Sequence, residues 1–285
     1  MTLGVLMQAA QAFQRLTGAR SWPVDDVGEI ARCRASADRV LSLYEDTWRL
    51  DGDLRGSETP RITRDRSDES RLRIVDLCIA EPSGCILLEH FNAGVGPGER
   101  VLVAGDPSVT GSLFKAIGGL WPWGSGRITL PVDGGLLFMP QRPYLPEGTL
   151  REALCYPQLA GRCTDAELRL TLERVGLASL LPRPDDRDNW GQVLPLRAVQ
   201  RLGFARALVQ RPDWIFMEGA TDAFDPEGKQ QILQMLREAL PRAALLLIGF
   251  HPGLEPLHDR TLVLERSAES RYLFEGRRVN GTVHH

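Results

Sequence analysis

The segment at residues 213–225 constrains the fold of this chain more than any other part of it. It reads D-W-I-F-M-E-G-A-T-D-A-F-D, an apolar run that ends in the carboxylate of Glu218 and continues through Gly219 into a polar loop. A short apolar run between polar residues is typical of a buried strand. We therefore expect a buried strand here, with an acidic side chain at its carboxyl end.

The chain from Leu72 onward alternates predicted strands with predicted helices. The strands are expected at 72–77, 85–88, 99–104, 136–139 and 244–249, and the helices include 149–181, 199–209 and 229–240. Strands that alternate with helices pack as a parallel sheet covered by helices. This part of the chain is therefore predicted to have an α/β fold.

The remaining segments differ in character from this α/β region, which we place at residues 71–266. Residues 1–50 contain two stretches with apolar side chains along one helical face. Residues 51–70 are rich in Asp, Arg, Ser and Gly and are predicted to be a linker. Residues 267–285 are polar and are predicted to be a loosely held tail.

Composition excludes several classes of function. The chain has 285 residues and a net charge of −3, so no basic field indicates a nucleic acid partner. Its five cysteines are scattered without metal-ligand spacing, which is typical of reduced thiols. The sequence has no uninterrupted apolar run of about 18 residues and no signal-peptide pattern at its start. We expect a cytoplasmic location, free or attached to a membrane through partners.

The segment that follows the strand at 99–104 has the position of a phosphate-binding loop. Such a loop surrounds phosphates with backbone N–H groups, and it adds a Lys for the β- and γ-phosphates and a hydroxyl for Mg²⁺. The hydroxyl of Ser112 is the candidate Mg²⁺ ligand. The candidate phosphate ligands are Gly105, Ser108, Thr110, Gly111 and Ser112.

The same segment departs from that chemistry at several positions. Neither of the two ways to align it with the motif places a Lys where one is required. Pro107 removes an N–H donor, and Val109 adds a branched side chain where the backbone must approach the phosphate closely. Asp106 adds a carboxylate, which repels phosphate. Lys115 lies one turn into the following helix and is a candidate substitute for the missing Lys.

Three further blocks of sequence accompany this segment. They are S-L-F-K-A-I-G-G-L-W-P-W-G-S-G at 112–126, F-M-P-Q-R-P-Y-L-P-E-G-T-L-R at 138–151 and F-A-R-A-L-V-Q-R-P-D-W at 204–214. Together with residues 213–225 they resemble the nucleotide-binding domain of ABC transporters. The resemblance is closest to the subfamily of peroxisomal fatty-acyl carriers and bacterial peptide or vitamin B12 transporters, and it covers residues 72–266. It implies an α/β ABC ATPase fold with a RecA-like P-loop core, an antiparallel β edge and a helical subdomain at about 142–210.

The resemblance also implies ATP and Mg²⁺ as cofactors and assigns roles to individual residues. Gln141 corresponds to the Q-loop glutamine, which contacts the metal site, and Glu218 stands where the family has an Asp beside Mg²⁺. His251 lies one residue after the expected position of the switch histidine. Glu218 and His251 are therefore the candidate catalytic residues, and Ser112, Gln141 and Glu218 are the candidate metal ligands.

The implied partners are a transmembrane subunit or domain and a second nucleotide-binding domain, in a homodimer or a heterodimer. Residues 3–13 are similar to the end of the membrane domain in this subfamily, so residues 1–50 are expected to be a helical remnant of that domain. These partners would hold the chain peripherally at the cytoplasmic face of the inner membrane.

Other reactive positions depart from the family pattern as well. Gly219 replaces the Glu that polarises the attacking water, and Pro195 and Arg197 replace a Ser and a Gly of the signature motif. Each lost group that stabilises charge costs ~2–4 kcal/mol of transition-state stabilisation. We therefore expect a pseudoenzyme with degenerate Walker motifs, which binds ATP weakly, hydrolyses it poorly or not at all, and serves as a structural or regulatory subunit of a transporter.

Two alternatives stay open at this point. The chain could be an active ATPase that energises transport, with Lys115, Glu218 and His251 in place of the missing groups. It could also be a non-functional relic of a half-transporter, which folds because its core pattern persists.

Overall fold

The fold is described by a computed structural model over most of the chain. The described residues are 3–25, 27–56, 60–158, 163–249 and 253–264. Contacts between residues divide the chain into two compact units, residues 1–58 and residues 59–285.

The first unit consists of two helices, α1 (Leu3–Asp25) and α2 (Val27–Gly56). Every side chain whose burial is described on these helices is exposed, and the exposed ones include Phe13, Tyr44 and Trp48. Among the described residues, no helix combines the length and the apolar character needed to cross a membrane.

The second unit is built from strands and helices that alternate along the chain. Its strands are β1 (Thr63–Ser67), β2 (Leu72–Ala80), β3 (Ile86–Val95), β4 (Arg100–Gly105), β5 (Gly124–Pro131), β6 (Leu136–Met139), β7 (Gly148–Thr149), β8 (Arg187–Asp188), β9 (Trp214–Glu218), β10 (Ala244–Ile248) and β11 (Arg260–Leu264). Its helices are α3 (Pro107–Gly118), α4 (Leu150–Cys155), α5 (Asp165–Arg174), α6 (Trp190–Val193), α7 (Leu196–Gln210) and α8 (Pro226–Ala239).

Two sheets organise this unit. The first has the strand order β1-β5-β2-β3, with β1 parallel to β5 and the other pairs antiparallel. The second has the order β11-β4-β10-β9-β6, and all of its strand pairs are parallel. The predicted α/β fold with a parallel sheet and an antiparallel edge is therefore confirmed.

Strand β9 is buried and contributes side chains to both hydrophobic clusters of the core. Trp214 and Phe216 pack into the cluster that also contains the buried side of α3, whereas Ile215 and Met217 pack into the cluster on the opposite face of the sheet. Successive side chains of a strand point to opposite faces, so this run of apolar residues contacts both clusters. The sheet thereby holds the residue after the run, Glu218, at its carboxyl edge.

The residues between β6 and β9 are mainly helical. The longest helix there, α7, packs against both α4 and α5. The buried guanidinium of Arg206 donates to the carbonyl of Ala153 on α4 at 2.7 Å and to the carbonyl of Tyr144 at 2.9 Å. The fully buried Trp190 donates its indole N–H to the carbonyl of Gly148 at 3.0 Å. These bonds satisfy backbone acceptors inside the helical region.

The structure differs from the sequence-based expectation of a linker at residues 51–70. Helix α2 continues to Gly56, and β1 occupies Thr63–Ser67 and pairs with β5. The side chains of β1 are polar, so no hydrophobic alternation marks it in the sequence. The backbone ladder with β5, and an ion pair between Asp65 and Arg127 at 3.4 Å, hold this polar strand at the sheet edge. The predicted tail at 267–285 lies outside the described residues.

Candidate nucleotide-binding site

The candidate site lies where parallel strands end. Gly105 is the last residue of β4 and Glu218 is the last residue of β9, and β10 separates these two strands in the sheet. The carboxyl ends of parallel strands meet at one edge of a sheet, which is where open α/β folds bind ligands. Helix α3 begins at the same edge, directly after β4.

The segment expected to form an open phosphate-binding loop is helical. Strand β4 ends at Gly105 and α3 begins at Pro107, so only Asp106 lies between them. Asp106 is the N-cap of α3, with extended backbone angles, and Pro107 occupies the first helical position. Asp at the N-cap and Pro at the first helical position are both strong signals for the start of a helix. The expectation of a loop here was wrong for that reason.

The donors at the start of α3 are satisfied by Asp106. Its Oδ1 accepts from the backbone N–H of Ser108 at 2.9 Å and from the Ser108 hydroxyl at 2.5 Å. Its carbonyl accepts from the N–H groups of Val109 and Thr110 at 3.1 and 2.9 Å. A phosphate-binding loop leaves such N–H groups for its ligand, whereas here the chain itself supplies the acceptors.

The other predicted phosphate ligands also face the protein. The buried hydroxyl of Thr110 donates to the carbonyl of Asp106 at 3.1 Å, and the buried hydroxyl of Ser112 donates to the carbonyl of Ser108 at 2.8 Å. A Cβ placed on Gly105 would lie 2.8 Å from the Cβ of Leu264. Close packing between β4 and β11 therefore accounts for the glycine at position 105, independently of any ligand.

Glu218 is half-buried and lies beside α3. A Cβ placed on Gly111 would be 3.9 Å from Glu218 Oε1. Burial raises the pKa of the Glu218 carboxyl, the negative charge of Asp222 raises it further, and the positive charge of Lys115 lowers it. The ammonium of Lys115 lies over the ring of Trp121, 5.3 Å from the centroid. Lys115 therefore contacts Trp121 and is also close enough to Glu218 for their charges to interact.

Gln141 and Gly219, the positions corresponding to the Q-loop glutamine and the catalytic Glu, lie together. Gln141 Nε2 donates to Asp222 Oδ2 at 3.1 Å. Gly219 has a φ of +62°, and a Cβ placed there would be 2.9 Å from both Gln141 Cβ and Asp222 Oδ2. A side chain at position 219 is therefore opposed both by the backbone conformation and by the space available.

Gln200 is a residue that sequence reasoning missed. Its side chain is 1% exposed. Nε2 donates to the carbonyls of Gln141 and Gly219 at 2.9 and 3.1 Å, and Oε1 accepts from the N–H of Ala223 at 3.1 Å. One amide from α7 thus joins the loop after β6 to the loop after β9. The sequence signal was a polar residue on the apolar face of a predicted helix.

Helix α7 begins at the residues that correspond to the signature motif. Pro195 is the N-cap, and it provides no side-chain hydrogen bond to the helix. Arg197 pairs with Asp225 at 3.3 Å, and its guanidinium lies over the ring of Phe224 at 5.4 Å from the centroid. The side chain that replaces the signature glycine is therefore engaged within the chain.

The structure brings part of the predicted metal set together. Glu218 lies near Gly111 and is close enough to Asp222 for their charges to interact, and Gln141 bonds to Asp222. Ser112 instead directs its hydroxyl to its own helix. Within the described ranges, no group of three or more His, Cys, Asp or Glu side chains could hold a metal ion. His251 lies outside the described residues. These residues do not form the open cradle of N–H donors and cations that a triphosphate with Mg²⁺ requires.

The relatives found by comparison with known proteins are ABC transporter proteins. No family model matches the chain. An uncharacterized ABC transporter ATP-binding protein of Synechocystis is 32% identical over 284 residues, which cover 95% of this chain and 42% of that protein. The inner membrane ABC transporter ATP-binding protein YddA of Escherichia coli is 29% identical over 260 residues, 91% of this chain and 44% of YddA. The mouse lysosomal cobalamin transporter ABCD4 is 30% identical over 78% of this chain and 38% of its own length.

A solved structure supports the fold. A bacterial Atm1-family ABC exporter with ATP bound superposes with a TM-score of 0.57 at 21% identity, covering 68% of this chain and 37% of the exporter chain. The chain spans less than half the length of these relatives. Its homologues are ABC transporter ATP-binding proteins, D-subfamily members among them, and the chain has the fold of an ABC ATPase domain.

Proposed function

We propose that this chain is an ABC-transporter cassette subunit whose ATP hydrolysis is lost, and that it acts as a structural or regulatory partner in the transporter. The observation that carries the proposal is the backbone at Gly219. The position that requires a water-polarising Glu has a φ of +62° and lies against Gln141 and Asp222. A glycine provides no carboxylate to polarise the attacking water, and phosphoryl transfer depends on groups held in place for charge and orientation.

The geometry of Lys115 disfavours the alternative of an active ATPase with substitute residues. That alternative requires the Lys115 ammonium at the phosphates, but the ammonium lies over the ring of Trp121 at 5.3 Å from the centroid. In addition, the position that corresponds to the catalytic Glu is Gly219, which has no carboxylate.

The partners in this proposal are a transmembrane subunit and a second nucleotide-binding domain, and the location is peripheral, at the cytoplasmic face of the inner membrane. The relatives support this assignment, because YddA of Escherichia coli is named as an inner membrane transporter component. The hydrogen bonds of Gln200 support a scaffold role, because they keep the loops after β6 and β9 joined although neither loop carries the family's full set of reactive groups.

The decisive experiment is phosphate release by the purified full chain with Mg-ATP, beside the isolated cassette of YddA as a positive control. We expect release no faster than in a protein-free blank. Turnover comparable to the YddA cassette would refute the loss of hydrolysis.

The partner role is tested separately by purifying the tagged chain from membranes of its native host under mild detergent. We expect stoichiometric recovery of a polytopic membrane subunit with a second cassette. If the chain is recovered alone, the relic interpretation gains support and the partner role fails.

A further inference from the structure

We propose that the carboxylate of Asp106 is a built-in anion that occupies the phosphate end of α3 and makes the fold of this cassette independent of nucleotide. This inference rests on the proposed function and deepens it, because a subunit can lose hydrolysis and still bind ATP. The proposal excludes binding as well.

The first support is the length of the connection. Asp106 alone separates β4 from α3. A loop that surrounds phosphates needs several residues outside the helix, so that successive N–H groups point inward. In this chain the residues after Asp106 have already entered the helix, and their N–H groups follow the helix axis. Pro107, at the first helical position, contributes no N–H group at all.

The second support is the chemistry of the acceptor. The Asp106 carboxylate accepts from the N–H and the hydroxyl of Ser108 at 2.9 and 2.5 Å. A negative charge at a helix N-terminus is stabilised by the helix dipole and by the N–H groups that lack a helical partner. A phosphate uses the same attraction. The carboxylate therefore satisfies these donors permanently, at an effective concentration that a free ligand cannot match.

The third support is what surrounds the helix start. The hydroxyls of Thr110 and Ser112 donate to carbonyls of their own helix. An incoming triphosphate would find these hydroxyls already bonded and would have to displace the Asp106 carboxylate from the N–H and hydroxyl of Ser108.

The test asks whether an added anion restores the stability that is lost when the Asp106 carboxylate is removed. Stability is measured as the melting temperature of the full chain. Asp106→Ala removes the carboxylate and should lower the melting temperature by about 2–4 °C. Adding 10 mM sodium pyrophosphate should restore at least half of that loss, because the opened N–H groups now accept the added anion. Sodium chloride at matched ionic strength should restore much less.

A control variant at a second helix start shows whether the response to pyrophosphate is specific to position 106. Thr164→Ala removes the cap of α5, whose side chain accepts from the N–H of Glu167. This variant should lose similar stability and gain nothing from pyrophosphate. Asp106→Gly serves if Asp106→Ala does not fold, because glycine is tolerated at an N-cap. It too should respond to pyrophosphate.

The native chain should shift by less than 1 °C with either pyrophosphate or Mg-ATP. The inference is overturned if Mg-ATP stabilises the native chain clearly, or if neither Asp106 variant responds to pyrophosphate more than the Thr164→Ala control does. Stabilisation by Mg-ATP without phosphate release would overturn this inference and leave the proposed loss of hydrolysis intact. Rapid phosphate release would overturn both.

Discussion

Two regions at the same edge of the parallel sheet are built in opposite ways. At the start of α3, the hydrogen bonds described above join near neighbours in sequence, since Ser108 and Thr110 both donate to Asp106. Around Gln200, hydrogen bonds run between segments far apart in sequence, since its amide reaches Gln141, Gly219 and Ala223. The hydrogen bonds of the first region are local in sequence, whereas those of the second region join separate segments of the fold.

The two regions differ in what they require from their side chains. A buried network that bonds to backbone groups fixes the positions of loops whatever the side chains on those loops do. A phosphate site depends on specific charges and on an open backbone. Here Gln200 bonds to both loops, and Asp106 bonds to the start of α3, which is the arrangement that the proposed function requires.

The largest expected effect comes from cutting the network at its centre. Gln200→Ala leaves buried backbone groups of Gln141, Gly219 and Ala223 without their partner and should lower the free energy of unfolding by ~2–4 kcal/mol. Urea denaturation measures it. Gln234→Ala is the matched control, because Gln234 is exposed and bonds to Glu238 on the same helix, and its effect should stay within about 0.5 kcal/mol. Equal effects of the two substitutions would contradict the importance of the network.

A smaller loss is expected when a side chain is added at the glycine that replaces the catalytic Glu. Gly219→Ala combines a φ of +62° with a contact of 2.9 Å and should cost ~1–3 kcal/mol. Gly94→Ala in β3 is the control, because a Cβ there meets only Leu72 O, at an ordinary 3.9 Å. Gly219→Glu should be destabilised at least as much as Gly219→Ala and should restore no phosphate release. Restored turnover would show that the backbone adapts and that the site was only one substitution from activity.

A smaller effect is expected at the C-terminal end of α3, where a side chain of β1 bonds to the helix. Arg64 on β1 donates from Nε to the carbonyl of Ile117 at 2.9 Å, in the last turn of the helix. Arg64→Met should therefore cost about 1 kcal/mol in urea unfolding. Arg66→Met on the same strand should change stability by less than half of that. If the two variants are indistinguishable, the bond from Arg64 contributes nothing measurable.

The smallest effect concerns the charge of Glu218. Its pKa is raised in the folded chain by burial first and by Asp222 second, so folding favours the protonated form. The resulting stability is present below the usual pKa of a Glu and is lost as the pH rises through the raised value. Glu218→Gln should therefore stabilise the chain at pH 7, by less than ~1 kcal/mol because the group is partly solvated, and the gain should vanish at acidic pH. The exposed Glu173→Gln is the control, and a gain for Glu218→Gln that is independent of pH would rule out a charge effect.

Much of the fold was predictable because apolar runs mark buried strands. The runs at β4, β6, β9 and β10 each lie in the core, and their alternation with helices correctly predicted a parallel sheet. Strand β5 was missed because two of its residues are glycines. Gly124 and Gly126 have φ values of +141° and +94°, where a Cβ would collide with the carbonyl oxygens of Cys78 and Asp76 at 2.0 and 2.3 Å. Backbone contacts of this kind leave no hydrophobic pattern in the sequence.

The candidate site was predictable in location but not in conformation. The family resemblance assigned Gly105, Gln141 and Glu218 to one nucleotide site, and in the structure each of them ends or follows a strand of the parallel sheet. The frame also led us to expect a loop after β4, whereas Asp106 followed by Pro107 determined the local structure. Two residues, Asp106 and Pro107, are enough to start a helix, and the segment has Pro107 and Val109 where glycines would favour an open loop.

The single residue between β4 and α3 has a consequence for how this protein can evolve. Asp106 and Pro107 start the helix directly after β4, so a lysine or a glutamate returned elsewhere in the site would still face a helical segment. Under the proposed function, any change toward nucleotide binding would have to begin with this Asp-Pro pair, whereas the surfaces that contact other proteins can change without it.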